Sequence, residues 1–341
     1  MNQCYRKKLY ILGIETSCDD TCAAVVADGR QILSNVVASQ HEIHEKYGGV
    51  VPELASRRHI EMIDIIIREA ILQSGISLDE IGAVSVTNRP GLVGSLLVGA
   101  GAAKAIVYAK KIPLIGINHL KAHLFSNILV NPDMSGGFIG LIVSGGHSSL
   151  YRVDRDWTIT EIGHTVDDAA GEAFDKIARF LGLGYPGGPV IDRLAKQGKR
   201  NAVFMPRPMM DSGDFNFSFS GLKTAVIYKV KKDPDIKKPE NIVNLAASFQ
   251  EAIAEVLVEK TIRAGKKSGY NRILISGGVA ANSRIRELFT IRAEQESIEL
   301  FIPPIYLCMD NASMVACLGY HEYVAGNFSS IEMDVYSRSD I

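Results

Sequence analysis

A chain of 341 residues that is 47% hydrophobic has material for about two domain-sized cores. Its 37 basic and 38 acidic residues leave a formal charge of −1, which excludes a uniformly basic nucleic-acid-coating surface and confines any RNA contact to local patches. Apolar runs are broken by Gly, Pro or charge, as in Ile63-Asp64-Ile65-Ile66-Ile67-Arg68, short of the roughly 20 residues that cross a bilayer. Five scattered cysteines (Cys4, Cys18, Cys22, Cys308, Cys317) suit reduced thiols better than a disulfide framework. Met1 to Lys8 carries no signal-peptide pattern, so the expectation is a cytoplasmic protein with no membrane role.

Leu9 to Ile14 reads as a strand, followed by the polar turn Glu15-Thr16-Ser17-Cys18-Asp19-Asp20 and a second run, Cys22 to Ala27. Asp28-Gly29 is a hairpin signal, and Ile32 to Ala38 completes a three-stranded meander. Apolar residues at Leu54, Ile60, Ile63, Ile67 and Ile71 predict a helix over Pro52 to Ser74. Ile81 to Thr87 and Leu114 to Asn118 are buried strands separated by a helix from Leu92 to Tyr108. From Phe138 the order recurs: strand to Val143, the turn Ser144-Gly145-Gly146-His147-Ser148, strands at Leu150 to Val153 and Trp157 to Ile162, and a helix over Ala169 to Leu181. Lys229 to Glu240 reads as a charged surface loop. Ile242 to Ile262 is helical, and Arg272 to Ser276 is a strand leading through Gly277-Gly278 into another helix. The recurrence predicts an α/β chain of two related lobes, each presenting its first turn to a shared cleft.

Three turns have the composition of anion cradles: Glu15 to Asp19, Ser144 to His147, and Ser276 to Gly278. His119-Leu120-Lys121-Ala122-His123 puts two imidazoles four apart, on one helical face and within reach of one ion. Leu120 stands where a zinc peptidase of the HExxH type carries its general base. Asp310 is a candidate third ligand, with helix capping as its alternative role. Glu172 and Asp175 share a helical face suited to ribose hydroxyls, although Glu172 could equally pair with Lys176; Asp192 follows the turn Tyr185 to Pro189.

These residues, together with Tyr47 to Arg57, Leu141 to His147, Asp167 to Lys176 and Asn216 to Thr224, resemble the universal tRNA threonylcarbamoyladenosine transferases (TsaD, Kae), once described as O-sialoglycoprotein endopeptidases. The likeness spans Gly13 to Asn311 and implies the duplicated actin-like fold of actin, Hsp70 and sugar kinases (ASKHA), two lobes around a nucleotide cleft, with residues 1–118 plus about 310–341 in one lobe and 119–309 in the other. It implies transfer of the threonylcarbamoyl group of threonylcarbamoyl-AMP to N6 of the adenine at position 37 of tRNAs reading ANN codons, releasing AMP. His119, His123 and Asp310 would bind one divalent ion, Fe2+ or Zn2+. Ile142, Val143, Ser144, Gly145, Gly146, Asp175, Gly188, Asp192 and Asn282 would contact the adenylate, with Glu172 and Gly278 beside its adenosine and Asp19 a catalytic acid–base candidate. Implied partners are tRNA, a non-catalytic actin-like paralogue (TsaB) and a P-loop ATPase (TsaE). A metallopeptidase and a nucleotide-binding regulatory scaffold are the competing readings. Departures from the family pattern are Arg89 before Pro90-Gly91, Ser148-Ser149 after His147, and Asp20 in place of Glu.

Overall fold

In the computed structural model, which describes residues 8–131, 134 and 136–338, the chain divides into two compact units, Met1–Met134 with Met309–Asp340 and Ser135–Cys308. Cys4 and the residues before Lys8 lie outside the described residues. The sequence-based boundary at residue 118 lies upstream of this division.

In the first unit, β1 (Tyr10–Glu15), β2 (Asp20–Ala27) and β3 (Gln31–Ser39) form the antiparallel meander. Asp28 and Gly29 both adopt positive φ (49° and 69°), the conformation a two-residue hairpin needs to match strand twist. A short helix, α1 (His41–Glu45), leads to α2 (Pro52–Ser74), which begins on Pro52 and stops at the left-handed Gly75. β4 (Ile81–Arg89), α3 (Val93–Lys110), β5 (Leu114–Asn118) and α4 (His119–Phe125) follow. The strand order is β3-β2-β1-β4-β5, with β4 and β5 parallel to β1. Alternation along β1 sends Leu12 and Ile14 into a core with Ile66, Ile67 and Ala70 of α2 and Ala103 and Val107 of α3.

α3 comes closer to a membrane-spanning composition than its sequence suggested, with 18 residues of mean hydropathy 1.3. Packing explains that composition. Gly99, Ala100 and Ala103 are buried small residues on the face toward the sheet, and a Cβ on Gly99 would meet the Thr16 hydroxyl at 2.4 Å.

The second unit repeats the topology. β6 (Phe138–Val143), β7 (Ser148–Val153) and β8 (Ile159–His164) form its meander, β8 starting two residues later than expected because Trp157 sits at φ 67° in the preceding turn. α5 (Ala170–Leu181), α6 (Gly187–Ala195), α7 (Ser220–Lys232) and α8 (Pro239–Ser268) come next, then β9 (Arg272–Ser276), α9 (Ser283–Gln295), β10 (Glu299–Phe301) and α10 (Ile305–Cys308). The order β8-β7-β6-β9-β10, with β9 parallel to β6 and β10 parallel to β9, matches the first sheet strand for strand. The chain then re-enters the first unit as α11 (Ala312–Ala325), which covers the other face of that sheet, where Gly13 lies against Ala312 and Ala316.

The charged loop expected at Lys229 to Glu240 is not a loop. Lys229 to Lys232 form the last turn of α7, a 3-10 turn covers Pro234–Lys237, and α8 begins at Pro239. Leu222, Val226 and Val230, spaced by four, bury one stripe of α7, and that stripe outweighs the charge between its members.

Candidate functional site

β5 runs directly into α4, and the Asn118 side chain accepts hydrogen bonds from the Leu120 and Lys121 amides, fixing the helix start at His119. One turn on, His123 lies beside it, with ring centroids 4.7 Å apart and planes at 82°. Asp310 arrives from the other end of the chain. Asn311, not Asp310, caps α11 by accepting from the Met314 amide, which corrects the alternative role for Asp310 and leaves its carboxylate directed at the histidines. Asp310 Oδ1 is 3.2 Å from His123 Nε2 and 3.6 Å from His119 Nε2.

These separations fit a metal centre. Ligands bonded at roughly 2.1 Å in tetrahedral geometry lie about 3.4 Å from one another. The ligand atoms of His119, His123 and Asp310 all fall within 4.8 Å of each other, and both histidines are buried. Two imidazoles and a carboxylate form a borderline donor set suited to a divalent transition metal rather than Mg2+ or Ca2+. The position after His119 is the buried, apolar Leu120, so α4 offers no peptidase-type general base there.

A residue that sequence reading placed only in a polar turn sits behind this trio. Glu15 ends the apolar strand β1, is fully buried, and places Oε2 3.0 Å from His119 Nδ1. Its oxygens also accept from the Ser17 amide and the Thr87 hydroxyl, each at 2.5 Å, and Ser17 Oγ lies 3.1 Å from the same imidazole nitrogen. A carboxylate on Nδ1–H leaves Nε2, the atom facing Asp310, as the ligand nitrogen. Burial alone would lower the His119 pKa, but the nearby Glu15 and Asp310 charges overcome it and raise the group to about 9. Burial raises the Glu15 carboxyl, and the facing His119 more than reverses that, leaving it below its usual value. The His123 imidazole is held below its ordinary pKa, chiefly by burial. The legible signal for Glu15 was a carboxylate at the end of an otherwise apolar buried strand.

The first of the three expected anion cradles behaves differently, because the Ser17 amide already serves Glu15. Asp19 sits in this turn, its carbonyl accepting from the Gln40 amide. Next to it, burial and the Asp310 and Asp19 charges push Asp20 up to about 7. Arg89 lies 5.7 Å over the Tyr336 ring, so its cation packs against an aromatic face of its own unit.

The remaining expected site residues all lie in the second unit, at the ends of its strands and the starts of its helices. Ile142 and Val143 end β6, and Ser144, Gly145 and Gly146 form the turn beyond it, with both glycines exposed and open space where a Cβ would stand. The Gly171 amide donates to Ser144 O at 3.2 Å, and a Cβ on Gly171 would approach that oxygen to 2.6 Å, so glycine alone lets α5 start against this turn. Glu172 and Asp175 follow on α5. Glu172 pairs with Lys176 at 2.7 Å, while Asp175 Oδ1 accepts from the Gly187 amide at 2.7 Å and so docks the start of α6. Gly188 is in the first turn of α6, and Asp192, one turn on, accepts from Ser283 Oγ of α9 at 2.7 Å. Gly278 opens a 3-10 turn after β9. Asn282 caps α9, with Oδ1 accepting from the Arg284 and Ile285 amides and Nδ2 donating to Gln250 at 2.8 Å. Hydrogen bonds thus tie α5 to the β6 turn, α6 to α5 and α9 to α6.

A family profile described as tRNA N6-adenosine threonylcarbamoyltransferase matches residues 31–317. The protein of that name from Syntrophus aciditrophicus is 50% identical over 330 residues, 97% of this chain and 97% of its own length. The one from Thermosipho africanus is 51% identical over 319 residues, 93% of this chain and 96% of its own. Among solved structures, full-length HypF in its phosphate- and nucleotide-bound form superposes with a TM-score of 0.61 at 12% identity, covering 94% of this chain and 56% of that one. Component A of the Acidaminococcus fermentans (R)-2-hydroxyglutaryl-CoA dehydratase gives 0.56 at 16% identity, covering 93% and 99%. These two likenesses bear on the fold alone, and they agree with a duplicated actin-like architecture. With half its residues shared with these relatives along nearly its whole length, the chain belongs to the tRNA N6-adenosine threonylcarbamoyltransferase family.

Proposed function

We propose that this chain transfers the threonylcarbamoyl group of threonylcarbamoyl-AMP to N6 of the adenine at position 37 of ANN-reading tRNAs, with His119, His123 and Asp310 holding a divalent ion, Fe2+ or Zn2+. The adenine amine attacks the carbamoyl carbon, a C–N bond forms, the C–O bond to phosphate breaks, and AMP leaves with that electron pair. A divalent ion held by the trio supplies Lewis acidity toward the threonylcarbamoyl moiety. The exposed amides of Gly145 and Gly146 suit the adenylate's anionic and carbonyl oxygens, because no side chain shields them. Asp175, which docks the start of α6, and Asp192, which accepts from Ser283 of α9, are assigned to the ribose hydroxyls of the adenylate. The Asn282 oxygen is committed to its helix cap, so its contribution to the nucleotide comes through the amide nitrogen or the backbone. Asp19, an acidic side chain of the turn that also carries Glu15, Ser17 and Asp20, is assigned the amine proton.

The observation that carries this reading is the buried His119–His123–Asp310 trio, with separations suited to one ion, in a chain of this family. Reconstitution with threonine, bicarbonate, ATP, partner proteins and unmodified tRNA, read by mass spectrometry of the nucleosides, tests it. Asp310→Ala is expected to lose stoichiometric metal and to slow product formation roughly a hundredfold or more. Wild-type turnover in that variant would refute the ligand set. We place the reaction in the cytoplasm with its tRNA substrate. We also assign to α2 and α3 the contact with an actin-like paralogue (TsaB), a P-loop ATPase (TsaE) completing the assembly. Exposed Ile60, Ile65 and Leu72 on α2 and Val93, Leu97 and Tyr108 on α3 support that assignment.

A further inference from the structure

We infer that the solvent face of α7, built from Thr224, Tyr228, Lys231 and Lys232 with Lys223 and Lys229 at its margins, is a contact surface for the phosphate backbone of the tRNA. The inference rests on the tRNA-modifying reading above and adds where the RNA lies. α7 carries four lysines and no carboxylate, in a chain whose total charge is close to zero. Among the described residues, none of these four lysines has a carboxylate within ion-pair distance. The next turns are different: Lys238 pairs with Asp235 at 2.7 Å, and Lys237 lies over the Phe180 ring.

A second basic cluster of this unit, Arg193, Lys196, Lys199, Arg200 and Arg207, is paired within the fold at three of its five members. Lys196 faces Asp192 at 3.5 Å, Arg200 faces Glu287 at 2.9 Å, and Arg207 faces Glu255 at 2.6 Å. Cations already paired release no counterions when a phosphate arrives, whereas unpaired lysines do, so α7 is the stronger attractor of a polyanion.

Tyr228 adds a second, independent feature. Burial of Leu222, Val226 and Val230 fixes the helix orientation and turns Tyr228 outward, 66% exposed, with Lys231 and Lys232 three and four residues on. An exposed aromatic ring between lysines stacks on an unpaired base while the cations hold the adjoining phosphates. α7 is also continuous with the proposed nucleotide site of its unit, since it packs on α5, and the Asp167 carboxylate preceding α5 binds the Phe219 and Ser220 amides at its start. That end is therefore closed to phosphate, and the attraction is concentrated at Tyr228 to Lys232.

The test measures binding of unmodified tRNA to the full-length chain between about 50 and 300 mM salt. Lys231→Ala/Lys232→Ala is expected to weaken binding roughly tenfold or more at 100 mM salt and to flatten the slope of log K against log salt by about 1.4 to 1.8, two phosphate contacts' worth. Tyr228→Ala weakens binding with an unchanged salt slope, while Tyr228→Phe keeps wild-type affinity because stacking needs only the ring. Lys196→Ala/Arg200→Ala, in the paired cluster, changes the slope little. All these side chains face solvent, and thermal melts verify that the variants fold. Wild-type affinity and slope in the α7 double variant would overturn the surface, and so would a loss confined to binding of the partner proteins. A wild-type chain that neither binds nor modifies tRNA would remove the activity reading and this surface together.

Discussion

Glu15 shows how much chemistry a single buried side chain can settle. Its carboxylate has three partners, the Ser17 amide, the Thr87 hydroxyl and His119 Nδ1, and it therefore fixes both the rotation of the imidazole and the nitrogen that faces Asp310. Glu15→Gln keeps the shape but substitutes a neutral amide, which can present either oxygen or nitrogen to the ring. The expected outcome is a loss of metal affinity of about ten- to a hundredfold, measured by competition against a chromophoric chelator, with an unchanged circular dichroism spectrum. Equal affinity in the variant would remove Glu15 from the centre. In the sequence the histidine pair was legible because α-helical spacing forces i and i+4 onto one face. Asp310 was a candidate in the sequence with capping as its alternative, and only the family likeness assigned it to the ion, since nothing local distinguishes a ligand from a cap. Glu15 was passed over because a motif of small polar residues hides which of them points inward.

At the level of elements, α7 depends on a distant carboxylate. Asp167 accepts from the Phe219 and Ser220 amides and from the Ser218 and Ser220 hydroxyls, satisfying donors that the start of α7 would otherwise leave unpaired. Burial works against the charge, but these hydrogen bonds hold the Asp167 carboxyl below its ordinary pKa. Asp167→Ala should cost about 1 kcal/mol at neutral pH in urea unfolding. The sign follows from the lowered pKa: the stabilisation is present above the ordinary carboxylate range and fades as pH falls through the lowered pKa of the folded state, so wild type and variant should converge in acid. A difference independent of pH would point to packing instead. Strands and long helices were readable from period alone, as with β1, α2 and β9, whose observed bounds differ from expectation by a residue or so. α7 was partly lost to its lysines because hydropathy counts their charge and misses their position, which is the side away from Leu222, Val226 and Val230.

For the whole molecule, the exposed aliphatic residues of α2 and α3 carry the clearest consequence. Leu72 is 74% exposed and Ile60 66%, and the groove between the helices, lined by Ile63, Ile67, Ile71, Leu72 and Ile106 among others, has a volume of about 790 Å³. A face of that kind costs solubility unless another protein covers it. On the proposed contact with an actin-like paralogue, Leu72→Asp is expected to shift the mixture from heterodimer to free chains in sedimentation velocity, leaving metal content and melting temperature unchanged, because Leu72 lies outside the buried core. An intact heterodimer would place the contact elsewhere. The duplication was readable as a repeated order of strands and helices, although the register that makes the two sheets equivalent needed coordinates.

The corner between β1 and β2 and the corner between β6 and β7 hold the same place in two copies of one connectivity, yet they have diverged to opposite ionic preference. One turns a carboxylate inward behind a pair of imidazoles, and the other bares two side-chain-free peptides. A single architectural plan, written twice, has thereby given one corner that backs a cluster of metal-type ligands and one that leaves two backbone amides open, the corner we propose for phosphate. Neither copy had to compromise its chemistry to serve both.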